Sequence, residues 1–126
     1  MKKNSIKNIR INTEVAHELG RLIRMELHDP RISLMTSVTD AQVATDLKTA
    51  KIYVSVLGSE QEVADTFAAL QRAEGFLRHG LAQTLNLRHT PKLTFLADDS
   101  IAYGARMNAL LSELKLKEDE DDQNNN

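Results

Sequence analysis

The stretch that most constrains the fold is residues 50–57, Ala-Lys-Ile-Tyr-Val-Ser-Val-Leu, in which Ile52, Val54 and Val56 alternate with Lys51, Tyr53 and Ser55. A period of two places the β-branched side chains on one face of a strand and the polar ones on the other, as in a half-buried antiparallel strand. Such a strand needs partners in a sheet and a layer to cover its apolar face. That layer is helical by pattern. Val15, Leu19, Leu22 and Ile23 recur at helical spacing and predict a helix from Asn12 or Thr13 to Leu27. Asp29-Pro30 ends it, because proline disfavours helical geometry in the residue before it.

The remaining elements follow from similar signals. Residues 32–44 predict a strand whose apolar parity shifts from Leu34 and Val38 to Ala41 and Val43, which requires a bulge near Thr39-Asp40. Thr45 to Lys48 is short enough for a hairpin loop joining it to the 50–57 strand. Ser59 with Glu62 forms a capping-box pattern opening a helix with Val63, Phe67 and Leu70 on one face. The pattern falters at Ala73-Glu74-Gly75, where glycine predicts a kink at Gly75. A second helical run then carries Phe76, Leu77, Leu81 and Leu85, ending near Leu87. Pro91 opens a third strand, Lys92 to Leu96, and a short last helix is expected from Ile101 to Leu114. The order helix, strand, strand, helix, kink, helix, strand predicts an α+β fold with helices on one face of a small three-stranded sheet.

At 126 residues the chain has room for one such domain. No apolar run approaches the ~20 residues of a membrane span, and the basic start Met1-Lys2-Lys3 leads into no signal-peptide pattern. The absence of cysteine excludes disulfides and thiolate chemistry and fits the cytoplasm. The net charge of −2 is unevenly spread, because Glu118-Asp119-Glu120-Asp121-Asp122 stand together. Without residues 118–126, 16 basic residues face 13 acids, a net +3. The expected organisation is a flexible N-terminus over 1–9, a folded domain over 10–116 and an acidic disordered tail over 117–126. Aromatic residues are 4% and tryptophan is absent, which argues against recognition by stacking several bases on exposed rings.

Enzyme signatures are missing. The five glycines form no phosphate-binding loop or nucleophile elbow. Asp98-Asp99 before Ser100 matches a helix N-terminus better than an acid/base pair, and the four histidines make no close ligand set, so no metal or cofactor is expected. Charge is more informative. At 100° per residue His17, Arg21, Arg24 and His28 lie within about 60° of one another on the first helix, joined by Arg10 if the helix reaches that far back. Arg72, Arg78, Arg88 and Lys92 are opposed only by Glu74 across residues 72–92. Both groups suit phosphate binding, although any soluble helix exposes a charged side and the break at 73–75 also reads as plain packing.

Five segments in order resemble a known family over about residues 10–111: Glu26-Leu27-His28-Asp29-Pro30-Arg31, Asp46 to Val56, Ala73 to Arg78, Leu87 to Phe95, and Asp98-Asp99-Ser100-Ile101. The chain is identified by them as similar to bacterial ribosome-binding factor A. The resemblance implies a KH-like fold of the second type, with Ala73-Glu74-Gly75 in place of the G-x-x-G loop. It implies a non-catalytic factor that binds the immature 30S subunit and 16S rRNA and supports 5′-end maturation, notably in the cold. The rRNA-facing candidates are Arg10, Arg21, Arg24, Arg31, Arg72, Arg78, Arg88 and Lys92, in a protein expected to be monomeric. Two departures stand out: Ile32-Ser33 follows Asp29-Pro30-Arg31, and the acidic Glu74 sits in the kink. A protein–protein adaptor and an rRNA hydrolase using Asp98 or Asp99 are the rival readings.

Overall fold

The structure is a computed structural model, and it describes residues 6–87, 89–98, 108 and 111–115. Its elements are α1 (Ile6–Met25), β1 (Thr36–Val43), β2 (Thr49–Val56), α2 (Glu60–Arg72), α3 (Glu74–Thr84) and β3 (Lys92–Ala97). The sheet order is β1-β2-β3, with β1 antiparallel and β3 parallel to the central β2. A parallel pair cannot be joined by a tight turn, and the α2–α3 pair supplies the crossover.

Alternation in the strands sorts the layers. Ala41, Val43, Ala50, Ile52, Val54, Leu93 and Phe95 are buried beneath the helices, which contribute Val15, Leu19, Leu22, Ile23, Leu70, Leu77 and Leu81 to the same core. Gln42, Lys51 and Thr94 form one row of the opposite face, and Asp40, Tyr53 and Leu96 another. The expected bulge is present, with the register shifting between Val38 and Asp40. The capping box is present too: Ser59 Oγ accepts from Glu62 N–H at 3.1 Å and Glu62 Oε1 accepts from Ser59 N–H at 3.2 Å.

Several expectations need correction. Helix α1 begins at Ile6, ahead of the expected start at Asn12 or Thr13 and inside the stretch expected to be flexible, and it ends at Met25. Asn12 is buried and accepts Val43 N–H at 2.9 Å, while the Thr13 hydroxyl donates back to Ile9 O at 2.9 Å within the helix. Strand β1 starts at Thr36 rather than Ile32, so Leu34 lies in a turn and is fully exposed. On α2 the fully buried positions are Thr66, Ala69 and Leu70, with Val63 and Phe67 at the margin. Thr66 is buried because its hydroxyl accepts Ser33 N–H at 3.0 Å and donates to Glu62 O at 2.7 Å, docking the 30–33 loop on the helix. The helix break falls at Ala73, and Gly75 sits inside the first turn of α3 without a positive φ. Phe76 is exposed, so α3 packs through Leu77 and Leu81. Of the expected last helix, residues 108 and 111–115 are helical and exposed, and the rest of 101–114 lies outside the described residues.

Candidate nucleic-acid interface

Helix α1 runs far enough back to carry Arg10, so Arg10, His17, Arg21 and Arg24 share one helix face, whereas His28 lies beyond the helix end at Met25. Their charges are not equivalent. Arg21 Nη2 and Nε lie 2.6 and 3.0 Å from Glu18 Oε1, and Arg21 Nη1 lies 3.4 Å from Glu26 Oε1. That hydrogen-bonded guanidinium holds the buried Glu18 carboxyl below its ordinary pKa, and the carboxylate in turn raises Arg21. Arg24 and Arg10 are exposed and have no acidic partner among the described residues.

Arg31 is spoken for in the same way. Its Nε and Nη2 reach Asp29 Oδ1 and Oδ2 at 2.9 and 2.7 Å, and its own N–H donates to Oδ1 at 2.9 Å. This fork-on-fork contact pulls Asp29 from 3.8 down to about 2, with Arg72 adding a smaller electrostatic pull from the end of α2. Arg72 therefore lies on the side of the 29–31 loop and remains exposed.

At the other edge of the sheet Arg78 Nη2 donates to Thr90 O at 3.1 Å, and its Nε lies 3.8 Å from Glu74 Oε2. Glu74 Oε2 also accepts Leu93 N–H at 3.0 Å. The carboxylate in the kink thus ties the start of α3 to β3. Lys92 is exposed beside this clip. Arg88 lies outside the described residues. The structure adds a cation that sequence reading missed: Lys92 N–H donates to Lys48 O at 2.9 Å, which sets exposed Lys48 next to Lys92. With Lys51 on the open sheet face, three lysines meet at one end of the sheet. Only the parallel pairing of β2 with β3, some 40 residues apart in sequence, brings them together, and no local pattern encodes it.

No group of three or more His, Asp or Glu side chains suited to a metal ion occurs among the described residues. No helix among them is long and apolar enough to cross a membrane. Asp98, read as part of a helix start whose following residues lie outside the described ones, accepts a short hydrogen bond from Thr39 in the β1 bulge, and its N–H donates to Val54 O at 2.8 Å. Asp99 lies outside the described residues.

A sequence profile for Ribosome-binding factor A matches residues 7–111. The chain belongs to the ribosome-binding factor A family. Among members of that family it is 56% identical over 121 residues to a protein of Agathobacter rectalis, covering 94% of this chain and all of the relative. A relative from Caldanaerobacter subterraneus is 40% identical over 121 residues, covering 96% of this chain and 99% of the relative. Solved structures agree. The crystal structure of ribosome-binding factor A from Thermus thermophilus superposes with a TM-score of 0.64 at 27% identity, over 71% of this chain and 94% of that one. A homology model of the Thermus thermophilus ribosome-binding factor A, fitted into the cryo-EM map of its 30S complex, gives 0.60 at 26% identity, over 73% of this chain and 96% of that one. The fold is accordingly the KH-like fold of ribosome-binding factor A, with a broken helix pair between β2 and β3.

Proposed function

We propose that this protein is a non-catalytic assembly factor that binds the free, immature 30S subunit through 16S rRNA. It supports late maturation and 5′-end processing, including at low temperature, and works as a monomer in the cytoplasm. The observation that carries the reading is the set of exposed, unpaired cations on a rigid two-layer fold: Arg10, Arg24, Arg72 and Lys92, with Lys48 and Lys51. Family membership and the Thermus protein placed on a 30S particle point to the same partner.

Phosphate contacts of this kind position RNA without reading sequence, so selectivity comes from the shape of the particle. Binding energy alone does the work. A factor that prefers one rRNA conformer shifts the population by the ratio of its affinities, with no bond made or broken. Arg21, Arg31 and Arg78 contribute chiefly by holding the shape of the elements that carry these cations, and Arg88 remains in the proposed set by its charge.

Sedimentation of the tagged protein with gradient-separated ribosomal particles tests this. The expected result is selective, salt-sensitive association with free small subunits, lost on reversing Arg24, Arg72 and Lys92 together. Cleavage of precursor rRNA by the purified protein, or binding indifferent to salt and to those reversals, would overturn it.

A further inference from the structure

The edge of the sheet away from Lys92 is half closed and half open. Among the described residues strand β1 pairs only with β2, and the bonds Ala44 N–H to Thr49 O and Leu57 N–H to Met35 O fix which of its residues face outward. Bonded and non-bonded pairs alternate in an antiparallel ladder, so Ala41 and Val43 face away from β2 beyond the bulge, and Thr36 and Val38 do so before it. The chain closes the first half itself: Val43 N–H donates to Asn12 Oδ1 at 2.9 Å and Ala41 N–H to Asp40 Oδ1 at 2.8 Å. The outward amides of Thr36 and Val38 have no such partner among the described residues.

A hollow of about 470 Å³ runs along this open half, walled by Ala16, His17, Gly20 and Arg24 of α1. The small Ala16 and Gly20 leave the space. A second hollow of about 450 Å³ continues from it past Ile23, Arg24 and Thr36 into an aliphatic end formed by Leu27, Pro30, Ile32 and Leu34. Leu34 is 101% exposed and Met35 61%. Leu34 thus adds an open apolar side chain to the aliphatic end of the second hollow.

We propose that this channel binds an extended peptide segment of a partner protein, added as a short strand to β1, with an acidic residue beside an aliphatic one. Alternating outward N–H and C=O groups complement a peptide main chain. Single-stranded RNA is held instead by stacking on aromatic rings, and neither hollow is lined by Phe, Tyr or Trp. Arg24 at the junction of the hollows, flanked by His17 and His28, selects the acid, and the Leu27–Leu34 end takes the aliphatic anchor. The site lies at the opposite sheet edge from Lys92 and shares only Arg24 with the rRNA-facing cations.

The test is a titration of the isotopically labelled full chain, followed by amide NMR, with a synthetic peptide TVELTV blocked at both ends. The expected result is shifts at Thr36 and Val38, with hydrogen exchange there slowed about tenfold at saturation, and Ala41 and Val43 changed little. The same peptide methylated on alternate main-chain nitrogens loses the effect. So does Gly20→Gln, which fills the channel where an added Cβ meets only the Arg24 guanidinium, at 3.4 Å. No shift at the open edge, or binding by the methylated peptide equal to the unmodified one, overturns the proposal. A single-stranded RNA hexamer moving those amides while the peptide does not would assign the channel to RNA and equally overturn it.

Discussion

Replacing Gly75 and Gly80 by alanine, one at a time, separates two explanations of the helix break. Both glycines lie within α3, where alanine is favoured over glycine by about 0.5–1 kcal/mol. If Gly75 were the hinge, alanine there would force the α2–α3 pair towards one continuous helix and destabilise the fold. In the structure the break is at Ala73, Gly75 has an ordinary φ, and a Cβ added to it has no neighbour within 4 Å. Nothing opposes the propensity gain, so Gly75→Ala raises stability by about 0.5 kcal/mol, the lower end because the residue sits in the first turn. Gly80 is the contrast. Its added Cβ would lie 2.8 and 2.9 Å from the two Leu22 methyls, and Leu22 is 1% exposed, with no room to rotate away. Overpacking of this kind costs about 1–3 kcal/mol, which exceeds the gain and leaves Gly80→Ala destabilised by about 1 kcal/mol. Urea denaturation followed by circular dichroism at constant slope reads both. A Gly75→Ala protein less stable than the parent would refute placing the break at Ala73.

Three further outcomes follow from the hydrogen-bond pattern. Asn12→Ala leaves the buried Val43 amide unpaired and lowers stability by about 1–3 kcal/mol, read by the same denaturation. The Asp29 carboxyl is depressed to about 2, so its pairing with Arg31 stabilises the fold above the ordinary value of 3.8 and that contribution is lost as pH falls towards 2. Asp29→Asn therefore flattens the loss of stability over this window, while Glu18, depressed in the same direction by Arg21, continues to lose its contribution on acidification. Thr66→Val removes the hydroxyl that accepts Ser33 N–H and raises hydrogen exchange in the 30–35 loop without unfolding the core.

Local signals carried most of the architecture. The alternation of residues 50–56, the parity shift at Thr39-Asp40 and the Ser59–Glu62 box each depend on neighbours in sequence, and each appears where its pattern puts it. The misses share a different cause. Glu74 reaches Leu93, Asn12 reaches Val43 and Thr66 reaches Ser33, and each of these polar residues is held by a partner 19 to 33 residues away that no local pattern encodes. The candidate interface was legible as composition but not as free charge. Helical geometry put Arg21 and Arg24 on one side, yet only the packed structure shows Arg21 committed to Glu18 and Glu26 while Arg24 stands clear. Lys48 escaped notice because its nearness to Lys92 is a property of the β2–β3 register.

The central claim is that affinity for the small subunit comes from the unpaired cations and not from total positive charge. The direct test is the salt dependence of binding to purified immature 30S subunits, comparing Arg24→Ala/Arg72→Ala/Lys92→Ala with Arg21→Ala/Arg31→Ala. Each lost phosphate contact flattens the plot of log affinity against log salt by about 0.7–0.9. The first set should flatten it by about 2, and the second, whose charges are already met by Glu18 and Asp29, by well under 1. Equal slopes for parent and first set, or a larger change from the second, would contradict the account.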